Sequence, residues 1–283
     1  MKATYYRFDP RPTEPLQFTA VRYQPDSPPS DGLTLILAHA TGTHKETWAP
    51  LLEYLFTAQL TSDSNSPKIL EAWSMECPNH GESAVINEQD IQEKYPNFAW
   101  SGWIYPRAML AFLRSKPDDI DFTRRSLVAL GHSHGGNSLI ILDSLQNEFQ
   151  FKGFILLDPT LGRESPAKDH MQRVLTQLTW NKRDTWPNRK AALKDLSKQP
   201  GFRNWHPEVL RLFLEKGLRD HPASKLPDPW CFKGGVSLAC SRANEAACNF
   251  ANDHHVFAFD YLQQMYREGK TVHLIHSKVD EFK

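Results

Sequence analysis

One stretch narrows what this chain can fold into more than any other: Ser126-Leu127-Val128-Ala129-Leu130 running into Gly131-His132-Ser133-His134-Gly135-Gly136. The first five residues read as a short buried strand, and Asn137 to Leu145 reads as a helix. Between them lies Gly-x-Ser-x-Gly, the pattern of a tight strand-to-helix turn that carries a serine at its apex. Such a turn pushes the serine hydroxyl out of the sheet and holds its backbone in a strained conformation. Glycines two residues to either side remove Cβ atoms that would collide there. The helix N-terminus that follows favours negative charge. Ser133 is therefore the candidate nucleophile.

The rest of the chain supplies a sheet for that turn. Leu16 to Tyr23 alternates apolar and polar, as an antiparallel edge strand would, and Leu33 to Ala38 reads as a buried strand. Thr43-His44-Lys45-Glu46 has capping-box spacing before a helical face of Trp48, Leu51, Leu52, Leu55 and Phe56. A strand near Lys68 to Ser74, a helix through Trp100, Ile104, Ala108, Ala111 and Phe112, and a strand from Gly153 to Leu157 continue the rhythm. Strands alternating with helices predict an α/β fold with a mostly parallel sheet and right-handed crossovers. From residue 161 to 249 the rhythm breaks. Helical stretches at Met171–Leu178, Arg189–Leu196 and Pro207–Gly217 are legible, with no strand, and loops beyond about 15 structureless residues are uncommon. The expected organisation is a discontinuous core of residues 1–160 and 250–283 with a helical cap at 161–249. A helix carrying Phe257, Tyr261 and Met265 and a strand from Thr271 to His276 close the pattern.

Charge and composition exclude other classes. The 283 residues carry 33 basic and 33 acidic side chains, so the basic excess of a nucleic-acid binder is missing. No apolar run approaches the roughly 18 residues of a membrane span, and the first fifteen residues lack the apolar centre of a secretory signal. Four cysteines, Cys77, Cys231, Cys240 and Cys248, form no Cys-x-x-Cys pair and no disulfide framework in so long a chain. A reducing, intracellular compartment is expected.

Acyl transfer by a serine needs two backbone N–H donors for the oxyanion. One is expected at His134, directly after the nucleophile. The other is expected at Thr41 in the loop His39-Ala40-Thr41-Gly42, with Ala40 its neighbour.

With these residues in view, the chain resembles the α/β-hydrolase superfamily, in which an oxyanion loop and an Asp-x-x-Gly-x-Gly-x-Ser-type loop precede the elbow. The second feature is Glu76-Cys77-Pro78-Asn79-His80-Gly81-Glu82-Ser83 here. The chain is most similar to fungal secondary-metabolism hydrolases of the host-selective AK- and AF-toxin pathways, and also to the peroxisomal acyl-CoA hydrolase of mycophenolic acid biosynthesis. The shared stretches are His39 to Glu46, Gly131 to Asn137, Leu156-Leu157-Asp158-Pro159, the segment Trp180 to Lys190 and Val279-Asp280-Glu281. One departure is Ala40, where relatives usually carry glycine; a backbone donor at Thr41 tolerates it. The resemblance implies an α/β-hydrolase fold and a serine esterase or thioesterase in toxin biosynthesis and virulence. Its substrate would be a small-molecule acyl ester or acyl-CoA, with no cofactor, no nucleic-acid or membrane partner, and room for a homodimer. It also implies a peroxisomal setting, although Glu281-Phe282-Lys283 is no peroxisomal tripeptide, which leaves the cytoplasm as the alternative.

A base histidine must be oriented by a carboxylate, in the order Ser, Asp or Glu, His. Two acids compete. Asp158 ends a strand beside the elbow strand, and the acyl-CoA hydrolase resemblance implies this position. Asp280 follows the Thr271–His276 strand, where most α/β-hydrolases place their acid. The only histidines after the last helix, His273 and His276, fall inside a predicted strand and read as sheet residues. The expectation is that the catalytic histidine is not in this chain. A final strand and helix of about 30 residues would be missing, so that the chain reads as truncated. The alternative function is then an impaired homologue that binds acyl ligands without turnover. His39, His80, His132 and His134 fall in loops at the expected active-site edge, and nothing in their spacing supports a metal. Trp180, Trp186 and Trp205 either line an apolar acyl pocket or form cap core.

Overall fold

The computed structural model describes residues 1–63, 66–251 and 253–278. The main sheet has seven strands: β1 (Lys2–Phe8), β2 (Phe18–Gln24), β3 (Leu33–Ala38), β4 (Ile69–Met75), β5 (Ser126–His132), β6 (Phe151–Leu157) and, near the end of the chain, β10 (Val272–Ile275). Their spatial order is β1-β2-β4-β3-β5-β6-β10. β4, β3, β5, β6 and β10 run parallel, while β1 and β2 are antiparallel to their neighbours.

Helices α1 (Ala49–Ala58), α2 (Gly81–Ile86), α3 (Glu88–Lys94) and α4 (Ile104–Arg114) precede the elbow strand, and α5 (His134–Ser144) leaves it. After β6 come α6 (Pro166–Asn181), α7 (Arg189–Leu196), α8 (Pro200–Arg203), α9 (Pro207–Leu212) and α10 (Arg242–Phe250), and α11 (His255–Arg267) leads into β10. Side chains alternate across the strands and so divide the core in two. Ile36, Ala38, Trp73, Met75, Leu127, Ala129, Phe154 and Leu156 pack with α4, α5 and α11. Leu35, Leu37, Ala72 and Leu130 pack with Trp48, Leu52 and Phe56 around α1.

Several expectations need correcting. Leu16 to Tyr23 is not an edge strand: β1 covers the outer side of β2. Its polar alternation answers to buried acids rather than to water, since the Thr19 hydroxyl donates to Glu76 at 2.7 Å and Arg22 pairs with Glu71 at 2.6 Å. Thr43 and Glu46 do not form the capping box. A 3₁₀ turn, Lys45–Trp48, intervenes, and the reciprocal cap lies one residue later, with the His44 N–H donating to the Thr47 hydroxyl at 3.3 Å. The strand predicted at Thr271–His276 spans only Val272–Ile275, which leaves His276 outside the ladder.

The segment from 161 to 249 also holds strands. β7 (Thr185–Trp186), β8 (Leu218–Asp220) and β9 (Val236–Leu238) form an antiparallel sheet in the order β7-β9-β8. Strands of two or three residues are too short to carry a period. The predicted helix Pro207–Gly217 is α9 followed by a π-helical turn, Phe213–Gly217. Trp186, Ala192, Leu196, Phe213, Leu218, Val236 and Leu238 form a separate apolar cluster there.

What fixes the elbow is close backbone approach. A Cβ on Gly131 would lie 2.7 Å from the Cα of Gly136, and one on Gly135 would lie 2.2 Å from the carbonyl oxygen of Ala38. Both neighbours are backbone and cannot swing aside. Gly135→Ala should therefore cost more than about 3 kcal/mol, the upper range of overpacking, in urea unfolding. Gly201→Ala, with open space around its Cβ, should leave stability within about 1 kcal/mol. Equal midpoints for the two variants would refute this packing account.

Candidate active site

Three adjacent strands end at one edge, and each delivers a polar residue there. β5 delivers Ser133 at φ 51° and ψ −121°. That strained geometry, unfavourable for any residue with a Cβ, is the one the elbow pattern predicts. The Ser133 N–H donates to the carbonyl of Leu157 at 2.9 Å, which ties the turn to β6. Its hydroxyl lies 3.2 Å from that of Thr160, and the Asn137 amide holds the Thr160 carbonyl at 2.8 Å.

β6 delivers Asp158, also left-handed at φ 39°. Its N–H donates to the Ile275 carbonyl at 2.9 Å, and its carboxylate accepts the Ser277 N–H at 3.0 Å. Just past β10, the Nδ1 of His276 lies 3.2 Å from the same carboxylate. The spatial set Ser133, Asp158, His276 thus runs in chain order. Sequence reading placed His276 inside a strand and gave it no part; the signal it missed is that the ladder stops at Ile275. Asp280, the competing acid, lies outside the described residues.

The donors expected for an oxyanion come from the loop after β3 and from the first residue of α5. Gly135 approaches the carbonyls of Ala38 and His39 so closely that the N-terminus of α5 touches the end of β3. The N–H of His134, first residue of α5, has no intrahelical partner. Neither it nor the Thr41 N–H donates to another group among the described residues.

The four histidines of the expected edge divide. His132 is exposed; partial burial draws its pKa down while Asp158 pulls it up. The other three are buried and neutral. Burial pushes His39 down to about 4; it spans β3 and β4 by bonding the Ala40 carbonyl at 2.8 Å and accepting the Cys77 N–H at 3.0 Å. Burial likewise holds His134 and His80 well below the usual imidazole range. The His134 ring stacks on Tyr105 and meets His254 edge-on.

Cys77, His80 and Cys248 offer ligand atoms within 4.8 Å of one another. A metal does not fit them. The Gly42 N–H donates to His80 Nε2 at 2.9 Å, and Nδ1 lies 2.7 Å from the Asn79 amide oxygen as its hydrogen-bond donor. Neither ring nitrogen has a lone pair to give.

The tryptophans also divide. Trp186 belongs to the buried cluster of the insertion, with its N–H on Asp195 at 2.8 Å, and Trp205 packs on Phe213. Trp180 instead borders a cavity of about 290 Å³ with Tyr95, Phe98 and Trp100. No helix among the described residues is long and apolar enough to cross a membrane.

The profile of the Alpha/beta hydrolase family matches residues 35–276. Among curated relatives, a Type I acyl-CoA thioesterase mpaH of Penicillium roqueforti is 25% identical over 214 residues, 75% of this chain and 46% of the relative. The Peroxisomal membrane protein LPX1 of Saccharomyces cerevisiae is 25% identical over 209 residues, 70% of this chain and 52% of the relative. The chain thus spans about half the length of these curated relatives. Among solved structures, the peroxisomal alpha-beta-hydrolase Lpx1 of Saccharomyces cerevisiae superposes with a TM-score of 0.67 at 19% identity, covering 98% of this chain and 81% of that one. The thioesterase domain from the curacin biosynthetic pathway gives 0.61 at 12% identity, covering 100% and 86%. At such identities the likeness is one of fold.

After the loop that follows β3 comes a buried charged cluster. The Lys45 side chain is fully buried, with its ammonium 3.2 Å from both Glu46 and Glu76 and 3.1 Å from Glu82. Glu76 also accepts the Ser83 N–H and the Thr19 hydroxyl, which gathers β2, α2 and the Lys45 turn onto one carboxylate. Burial alone would raise the pKa of Glu46; the hydrogen bond from His44 and the Lys45 charge overcome it and hold the group at about 2. A carboxyl depressed below its ordinary 4.5 contributes stability above that pH and loses it as pH falls toward 2. Glu46→Gln should flatten that part of the acid unfolding curve. Lys45→Met, which strands a buried carboxylate, should cost about 3–5 kcal/mol at neutral pH. Urea titrations from pH 7 to pH 3 check both, and an unchanged slope in Glu46→Gln would contradict the pairing.

Proposed function

Since this chain belongs to the alpha/beta hydrolase family, matched from residue 35 to residue 276, we propose that it is a serine hydrolase of acyl esters or thioesters. The observation that carries this reading is the strained Ser133 at the end of β5, beside a carboxylate–imidazole pair at the ends of β6 and β10.

In the proposed reaction the Ser133 oxygen attacks the acyl carbonyl and its proton passes to an imidazole. The N–H groups of Thr41 and His134 hold the oxygen that becomes negative. Collapse expels an alcohol or thiol, which takes the proton back, and water then releases the acid by the same steps. Asp158 orients the imidazole and stabilises its cationic form. Within the described residues the imidazole that Asp158 holds is His276. An acyl-CoA leaving group is supported by the thioesterase relative, and the aromatic cavity beside Trp180 suits an apolar acyl chain. The finer assignments, a peroxisomal setting and a role in host-selective toxin biosynthesis, are part of this proposal and rest on resemblance. One observation favours a second reading, an acyl-ligand binder without turnover. The Ser133 hydroxyl is paired with Thr160 rather than with an imidazole.

Hydrolysis of p-nitrophenyl butyrate and of a medium-chain acyl-CoA separates the readings. Turnover is expected, with Ser133→Ala lowering it by three orders of magnitude or more and Asp158→Asn by on the order of 10⁴. His276→Gln should match Asp158→Asn, and Asp280→Asn should cost less than either. Ser133→Ala retaining over about a tenth of the rate would remove Ser133 from the chemistry. A larger loss in Asp280→Asn than in Asp158→Asn would move the acid. A harmless His276→Gln beside a crippled Asp158→Asn would place the base elsewhere. A wild-type chain without turnover that still binds the acyl-CoA would favour the second reading.

A further inference from the structure

The loop assigned to the oxyanion is held by a hydrogen-bond chain that starts in the inserted segment. Gly42, left-handed at φ 79°, donates its N–H to His80 Nε2 at 2.9 Å. A nitrogen that accepts an N–H carries no proton, so Nδ1 carries it and donates to the Asn79 amide oxygen at 2.7 Å. The Asn79 amide nitrogen then donates to the Asn244 carbonyl at 3.1 Å and the Cys248 sulfur at 3.2 Å, both on α10. From Gly42 through His80 to the Asn244 carbonyl each donor has one possible direction, while the Cys248 thiol also lies 3.5 Å from the Asn79 amide oxygen. Asn79 and His80 are fully shielded from solvent. α10 reaches the same loop a second time: a Cβ on Gly42 would lie 3.0 Å from the carboxyl carbon of Glu245, which is paired with Lys182.

We propose that His80 is a positioning residue for the oxyanion loop and that, through Asn79, it ties the loop to α10, so that the seating of the inserted segment sets the oxyanion geometry. This rests on the serine-hydrolase reading. Two neighbouring peptides of the loop, with N–H groups on Thr41 and Gly42, could face the substrate. By claiming the Gly42 N–H, His80 fixes the peptide plane between them and leaves the Thr41 N–H as the free donor. Burial keeps the imidazole neutral, so Nε2 stays an acceptor. Protonation there would turn it into a donor facing another donor.

The variants His80→Leu, His80→Gln and His80→Asn test the idea on the short ester. An oxyanion donor moved by about an ångström costs on the order of 10² in rate. His80→Leu should therefore lower kcat about 10- to 100-fold while KM stays within about threefold. His80→Gln, whose amide oxygen can accept the Gly42 N–H, should recover most of kcat. His80→Asn, which reaches Asn79 but not Gly42, should not. A folded His80→Leu with kcat within twofold of wild type would overturn the proposal. Should His80→Leu fail to fold, equal kcat in the Gln and Asn variants would do so. An active wild type untouched by Ser133→Ala would instead overturn the hydrolase reading alone. Nitrogen-15 NMR of the imidazole reads the chain without any turnover. A neutral ring protonated at Nδ1 is expected at pH 7, and the Nε2-protonated tautomer would refute the series.

Discussion

The site depends on the absence of a side chain at Gly135. The N-terminus of α5 sits against the end of β3 so closely that one methyl group would lie 2.2 Å from the Ala38 carbonyl oxygen. This contact brings the backbone of the elbow and the backbone at the end of β3, from which the candidate oxyanion loop leaves, to a fixed separation. An oxyanion hole is made of N–H groups, and N–H groups are placed by backbone. Gly131 repeats the arrangement one turn away, its own contact being Gly136. The strain at Ser133 is held by the same packing, since the residue is pinned by its N–H on Leu157 before and by the helix after. The parallel strands β5, β6 and β10, which end at one edge, then bring Asp158 and His276 alongside.

How much of this the sequence discloses follows from how local each feature is. The elbow, the buried strands β3 and β5 and the helix α7 are legible because strand period, glycine spacing and helical period are properties of a few consecutive residues. β2 is misjudged as an edge because its partner β1 lies in a stretch whose prolines and aromatics obscure the alternation. Its buried Thr19 looks solvent-facing until Glu76, 57 residues away, is beside it. The small sheet of the insertion has strands of two and three residues, shorter than any period. Asn79 and His276 were missed for a different reason. Each bonds a partner far along the chain, Asn79 on α10 and His276 on Asp158, and no spacing rule announces such a meeting.

The histidines show burial deciding chemistry. Six of them, His39, His44, His80, His134, His254 and His255, are buried, with rings in contact from His80 through His39, Tyr105 and His134 to His254 and His255. Cationic imidazoles crowded together in low dielectric would oppose folding strongly. Burial holds His39, His80, His134 and His255 neutral. A neutral imidazole is then a rigid part with one donor and one acceptor. His39 and His80 use both ends, and both bridge the oxyanion loop to the loop after β4. Of the histidines near Ser133, His132 and His276 are exposed, and of these two His276 has a carboxylate on its ring nitrogen.

That division gives the inserted segment a mechanical meaning. The segment holds an apolar cluster of its own, around Trp186 and Phe213. Near the site the segment and the main core are joined by apolar packing, with Ala247 and Cys248 of α10 in the main core cluster, and by the hydrogen bonds from Asn79 to α10. Hydrogen bonds are directional where apolar contact is not, so a shift of α10 by an ångström loses them rather than sliding them. A cavity lined by Trp180 and Asn244 opens at the same seam, so whatever fills it presses on the residues that hold Asn79. Asn244 thus both lines that cavity and accepts from Asn79, the residue bonded to His80, so under the proposed role of His80 the cavity and the loop after β3 share one contact surface.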